Sequence, residues 1–166
     1  CWAFSAVCAI EGAWFLGGHT LTSLSEQEIV SCDNSMQGCG GGEMSQAMNW
    51  VRSNGGINSE QAYPYTSGGG SSGSCDSSRS RTSVAQVASV THVSSSEGQI
   101  LAALQQYGPL SIGVDASAFQ SYRGGIMSNC YGRSLDHGVA IVGYGTASGG
   151  YWIVKNSWGA SWGESG

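Results

Sequence analysis

The sequence predicts an α+β chain of two lobes, helical over residues 1–83 and β-rich over residues 84–166. Two observations carry this prediction. Apolar residues recur at helical spacing through the first half, whereas β-branched residues dominate the second, with strict alternation at Leu110-Ser111-Ile112-Gly113-Val114. Helices first and strands afterwards is the grammar of an α+β architecture, not of alternating βαβ units. A third observation sets the scale: 166 residues make one ordinary domain, or two small lobes sharing a core. No internal repeat is present.

Each element has a local cause. Residues 1–16 are almost free of helix breakers, and Cys1, Phe4, Ser5, Cys8 and Phe15 fall near one face, which predicts a buried helix. Ser25-Glu26-Gln27-Glu28 is a capping-box pattern, with Ser at the N-cap and Glu at the third helical position, opening a short helix towards Cys32. After Gly38–Gly42, Met44, Ala47, Met48 and Val51 recur at i, i+3, i+4 and i+7 until Gly55-Gly56 end a third helix. Ser67–Ser74 has linker composition and predicts a mobile surface loop, pinned at its end by Cys75. Val84–Val93 predicts a strand, as do Val139–Val142 and Tyr151–Val154. Between them, Ser96 and Gln99 cap a helix that carries Ile100, Leu101 and Leu104 and stops at Gly108-Pro109.

Composition excludes several functions. Glycine supplies 27 residues, well above the usual ~7 %, and only 17 residues are charged, yet a hydrophobic fraction of 40 % suffices for a packed core. A net charge of −5 argues against nucleic acid as a partner. No run approaches the ~18 apolar residues of a membrane span, and no membrane partner is expected. Six cysteines against a single lysine suggest an oxidising compartment. Their spacing contains no C-x2-C, and His19, His92 and His137 lack zinc-site pairing, so no metal and no cofactor is expected.

Cys1 is the first candidate for chemistry. A cysteine at the first turn of an apolar helix sits at the positive end of the macrodipole, where its thiolate is favoured. Four blocks then follow in order: Cys1-Trp2-Ala3-Phe4-Ser5, Gly38-Cys39-Gly40-Gly41-Gly42, Leu135-Asp136-His137-Gly138 and Lys155-Asn156-Ser157-Trp158-Gly159. Together they resemble the papain family of cathepsin L-like cysteine proteases across the whole chain. His137 and Asn156 fall 136 and 155 residues after Cys1, near the ~130–150 expected of that family. Leu24-Ser25-Glu26-Gln27, Tyr63-Pro64-Tyr65 and Val114-Asp115-Ala116-Ser117 resemble its kinetoplastid branch in particular.

The resemblance implies a papain-like two-lobed fold, a helical lobe beside an antiparallel β-barrel-like lobe, here truncated at both ends. It implies a cysteine-type endopeptidase acting through a thioester acyl-enzyme. Cys1 would be the nucleophile, His137 its base, Asn156 the group that orients the imidazole, and Trp158 a lid over the Asn156–His137 hydrogen bond. Substrate would touch Gly41, Gly42, Met44, Gly113, Leu135, Asp136, Gly138 and Trp158. Met44, Gly113, Leu135 and Gly138 would line the pocket for the side chain two places before the scissile bond. Trp162 reads as a core aromatic. Glu43 departs from the family's aromatic or aliphatic residue and suggests some preference for basic side chains. A Cys32–Cys75 disulfide is implied, with Cys39 and Cys130 pairing outside this stretch and Cys8 a buried free thiol or, alternatively, a partner for Cys39. Implied partners are peptide and protein substrates, an inhibitory propeptide and cystatin-like inhibitors; a monomer in a lysosome-like acidic compartment, or a secreted protein, is expected.

The family also places an oxyanion-stabilising glutamine six positions before the nucleophile, and losing one such donor typically costs ~10²- to 10³-fold in rate. The chain therefore reads as an internal fragment of a longer precursor. Two rival readings compete: an N-terminal nucleophile hydrolase whose base is the Cys1 amine, and an inactive homologue serving as a binding protein. Gly40-Gly41-Gly42 lacks the Lys and Ser/Thr of a phosphate loop, and Gly159–Gly163 matches G-x-S-x-G without a downstream Asp or His, so both resemblances are set aside.

Overall fold

The computed structural model describes residues 1–80, 82–130, 132 and 134–166. Helix α1 (Trp2–Leu16) is followed by α2 (Glu26–Cys32), α3 (Met44–Ser53) and α4 (Glu97–Tyr107), and then by strands β1 (Leu110–Val114), β2 (His137–Gly145) and β3 (Tyr151–Lys155). The strands form an antiparallel sheet in the order β1-β2-β3. Among the described residues the sheet has three strands, and helices beside an antiparallel sheet are the α+β arrangement expected from the sequence.

Helix α1 lies at the centre, packed on α2 and α3 on one side and on β1 and β2 on the other. Its buried residues are Trp2, Ala3, Ser5, Ala6, Val7 and Ile10. The face read from the sequence was displaced: Phe15 is 52 % exposed and Cys1 is exposed, while Phe4 and Cys8 are half-buried. A helix enclosed on two sides is apolar nearly all round, so periodicity carries little information about its orientation. The first core joins Trp2, Ala6, Val7 and Ile10 to Leu24, Ile29, Ala47, Val51 and Ile57.

Ser25 caps α2 as expected, its Oγ accepting from Glu28 N at 3.0 Å. The reciprocal half of the capping box is replaced: Glu28 Oε2 accepts from Asn58 N at 2.7 Å, and Ser25 N donates to Asn58 O at 2.9 Å. A long-range clamp has displaced a local one. Helix α3 is as read, with Ala47 and Val51 fully buried and Met44 and Met48 packed at the edge of the core. Its N-cap is Glu43, whose carboxylate accepts from Gln46 N. Ser96 makes no side-chain cap bond to α4, and Gln99 Oε1 instead accepts from Ser94 Oγ.

Two expectations for the connecting segments change. Ser67–Ser74 is not a free linker. Gln27 Oε1 accepts from Thr66 N (2.7 Å) and Ser67 N (2.9 Å), its Nε2 donates to Ser67 Oγ (2.8 Å), and Ser31 Oγ donates to Ser72 O (2.7 Å). The Cys32–Cys75 disulfide closes the segment onto the end of α2. Val84–Val93 forms no strand: Ala85 makes a single antiparallel bridge to Ile57, and neighbours such as Val84 and Val93 are exposed. β-Branched composition makes a strand only where a partner edge is available.

Candidate active site

Two packed elements bring the four sequence blocks to one end of the molecule. Cys1 is the N-cap residue of α1, and its carbonyl accepts the first helical bond from Ser5 N at 2.9 Å. Its thiol is free and exposed, at the helix end where backbone N–H groups and the macrodipole favour an anion. His137 opens β2, opposite Val114 of β1. Gly138, the next residue, lies hard against the first turn of α1: a Cβ there would be 3.3 Å from Trp2 Cα and 3.3 Å from Ser5 Cβ. Cys1 and His137 thus each stand one residue from the same helix–strand contact.

That contact is bolted by Ser5. Its buried hydroxyl donates to Val139 O at 2.6 Å and lies 2.5 Å from Ser111 Oγ. Because the Ser5 proton goes to the carbonyl, Ser111 is the donor in the second bond. One side chain on the nucleophile's helix therefore holds both β1 and β2.

Asn156 follows β3 directly and is only 7 % exposed. Its Oδ1 lies 2.8 Å from His137 Nε2 and also accepts from Ser157 N at 2.8 Å. A backbone N–H can only donate, so the amide oxygen, not the nitrogen, must occupy that position. It follows that Nε2 carries the hydrogen and that Nδ1 of the neutral ring is left with a lone pair to take a proton. The Trp158 ring lies over the imidazole, with centroids 4.9 Å apart at 35°, and Phe119 meets both rings edge-on at 6.4 and 6.3 Å. Trp162 belongs to the second core with Phe119 and Val139, its Nε1 donating to Phe119 O at 2.8 Å.

The remaining predicted residues flank this centre. Gly41 has φ 126°, and a Cβ on Gly42 would lie 2.5 Å from the Trp2 ring, so this strip can only be glycine where it passes the helix that carries Cys1. Met44 reaches across, its Sδ 3.3 Å and its Cε 3.9 Å from the positions of a Cβ on Gly138 and Gly113. Leu135 covers Gly113 from the other side while remaining 74 % exposed. Asp136 is tethered, its Oδ1 accepting from Ala116 N at 2.9 Å. With Ala116, Ser117, Gln120, His137 and Trp158 it lines a shallow depression of about 170 Å³. Gln120 and Phe119 were not read from the sequence as site residues. The register that sets Val114 opposite His137 is what delivers their loop there.

A second cavity of about 450 Å³ lies behind Asn156, between α1 and the sheet, and includes Cys8, Glu11, Glu26 and Lys155 in its lining. Burial pushes the Glu26 carboxyl up to about 7, and raises the Glu11 carboxyl and the Cys8 thiol as well. Cys8 and Cys39 are both free, so the alternative pairing between them is not formed; Cys130 is also free.

A model of the family described as "Papain family cysteine protease" matches residues 1–166. The chain belongs to the papain family. It is 48 % identical over 169 residues to cysteine proteinase B of Leishmania mexicana, matching 100 % of this chain and 38 % of that protein. It is 49 % identical over 170 residues to cysteine proteinase A of the same organism, covering 100 % and 47 %. This papain-family chain thus spans less than half the length of these relatives. Among solved structures, the digestive procathepsin L 3 of Tenebrio molitor superposes with a TM-score of 0.89 at 41 % identity, over 99 % of this chain and 55 % of that one. Bromelain from Ananas comosus, in complex with the E64 inhibitor, gives 0.90 at 36 %, over 100 % and 76 %.

Proposed function

We propose that the protein is a cysteine endopeptidase in which Cys1 is the nucleophile, His137 the general base and acid, and Asn156 the residue that orients the imidazole. The observation that carries this reading is the doubly fixed Asn156 oxygen, which commits His137 Nε2 to the amide and leaves Nδ1 as the base. The thiol proton passes to Nδ1, and the sulfur attacks the peptide carbonyl carbon. As the C–N bond breaks, the imidazolium returns its proton to the leaving amine, giving a thioester. Water, deprotonated by the same imidazole, then cleaves the thioester to a free acid and regenerates the thiol. Trp158 keeps water from the Asn156–His137 bond, which is stronger for being dry.

Substrate lies in a cleft between the helical residues 1–83 and the β-rich residues 84–166. Its backbone runs along Gly41 and Gly42, and the side chain two places before the scissile bond enters between Met44, Leu135, Gly113 and Gly138. The leaving side rests in the depression by Asp136 and Trp158. A propeptide, cystatin-like inhibitors, a monomeric state and an acidic, lysosome-like or secretory setting fit the same reading.

The test is alkylation of the full-length protein by iodoacetate at pH about 5, where free thiols, with pKa ~8.5, barely react. Modification mapped to Cys1, and its loss in His137→Ala together with peptidase activity, is the expected result. Equal Cys1 reactivity in the wild type and His137→Ala would remove the base from the mechanism.

A further inference from the structure

The serine- and glycine-rich segment Ser67–Ser74 reaches the glycine strip beside Cys1. Ser72 Oγ accepts from Cys39 N at 2.8 Å, and a Cβ on Gly38 would overlap that hydroxyl, so Ser72 packs directly on the backbone that leads into Gly41 and Gly42. Ser72 is itself anchored to α2. Its carbonyl accepts from Ser31 Oγ at 2.7 Å and from Gln27 Nε2 at 3.2 Å. Gln27 is buried, and its Oε1 is committed to Thr66 N and Ser67 N, which settles that Nε2 is the end facing Ser72.

The helix of the nucleophile holds the same strip from the other side. Trp2, the residue after Cys1, donates from Nε1 to Gly38 O at 2.9 Å in a buried bond. Within the strip, Gly40 N donates to Gln37 O (2.8 Å), Gly41 N to Gly38 O (3.2 Å) and Gln37 N to Gly41 O (2.9 Å). Among the described residues, the N–H and C=O of Gly42 have no partner, and together they offer the pair of groups that an extended chain needs to add itself as a strand.

We infer that Ser72 is a positioning residue for peptide substrate, and that the Ser67–Ser74 segment sets the glycine strip against Cys1 from the outside. Trp2 ties Gly38 to the nucleophile's helix, and Ser72 ties the next residue, Cys39, to α2. Glycine restrains its own backbone least of all residues. Gly40, Gly41 and Gly42 therefore take their position from the two bonds at the start of the strip, and Gly42 meets the substrate backbone where those bonds place it. This rests on the peptidase reading above, which supplies the substrate's path along Gly41 and Gly42.

The experiment uses the full-length mature protein, with Ser72→Ala removing the acceptor and Ser72→Thr keeping a hydroxyl in its place. Two rates are compared. One is hydrolysis of a fluorogenic peptide amide long enough to run past Gly42; the other is alkylation of Cys1 by iodoacetate at pH about 5, which needs the thiolate but not the strip. In Ser72→Ala, kcat/KM should fall about two- to tenfold, the worth of one hydrogen bond, and through KM more than kcat because the contact lies away from the reacting atoms. Cys1 alkylation should keep the wild-type rate, and Ser72→Thr should keep kcat/KM near that of the wild type. An unchanged KM in Ser72→Ala overturns the inference. So does an equal fall in alkylation, which would report a general disturbance of the site, or an equal loss in Ser72→Thr, which would report packing and not the hydroxyl. If the wild type is alkylated at Cys1 but cleaves no peptide, the peptidase reading itself fails, and this inference with it.

Discussion

Stability of this chain should fall as pH rises from about 5 to 8, and Glu26 is the group that makes it do so. The carboxyl lines the cavity behind Asn156, and burial, reinforced by Glu11 and Glu60, raises it from an ordinary 4.5 to about 7. Between those values the native chain holds a proton that the unfolded chain has released. Raising the pH therefore favours the unfolded state until Glu26 ionises in the native state as well, and the penalty is complete above pH about 7. The full shift corresponds to at most about 3.4 kcal/mol. Glu26 retains some solvent exposure, which reduces this to about 1–2 kcal/mol. Glu11 and Glu28 are raised by burial too and act in the same direction. The assay is thermal unfolding at pH 5 and pH 8 in a Cys1→Ala background that prevents self-digestion, for the parent and for Glu26→Gln. A loss of about 1–2 kcal/mol corresponds to roughly 2–8 °C, and Glu26→Gln should abolish most of it by being uncharged at both pH values. Parallel pH dependences for the two proteins would refute the assignment to Glu26.

Three further outcomes follow from the geometry. Asn156→Ala removes the acceptor that His137 Nε2 has among the described residues, and kcat should fall about 10- to 100-fold, the worth of a hydrogen bond to a charged partner; steady-state kinetics on a peptide substrate checks it. Gly42→Ala places a methyl 2.5 Å from the Trp2 ring, so urea denaturation should show a loss of about 1–3 kcal/mol. Ser5→Ala strips the buried Val139 carbonyl and Ser111 hydroxyl of their shared partner, which should cost about 1–3 kcal/mol in the same assay.

Much of the fold was legible because its helices and strands carry their own periodicity: α3 and α4 from their spacing, β1 from its alternation and β2 from its apolar run. What misled were segments whose conformation is set by distant residues. The polar serines of Ser67–Ser74 resemble a linker until Gln27 is seen gathering their backbone, and Glu28 resembles half of a local cap until Asn58 takes its carboxylate. Val84–Val93 has strand composition but no edge beyond the one bridge at Ala85. At the site, Cys1, His137 and Asn156 were visible through the order of their motifs. Gln120 and Phe119 were not, because nothing local to them reports that β1 pairs with β2 at Val114 and His137. An Asp115-x-Ser117 turn directly after an alternating strand, with Ser117 N donating to Asp115 Oδ1, is the one local hint that the chain reverses there.

The sheet register is itself part of the chemistry. Along β2, a period of two sends Val139 to the Phe119 core and Gly138 and Ala140 towards α1, so that His137 meets Phe119 and Trp158. Ala140 pairs with Lys155, which delivers Asn156 within reach of a ring three residues back along β2. A slip of β3 by one residue in that pairing would turn the side chain that follows it to the opposite face and separate Asn156 from His137. The bulge in β2–β3 lies between Ile141 and Gly143, on the far side of this pairing, so the irregularity of the sheet is kept away from the half that aligns the imidazole. The bonds from Ser5 to Val139 and Ser111 fix that same half to the helix carrying Cys1. One buried hydroxyl and one strand register therefore hold the strand that carries His137 against the helix that carries Cys1.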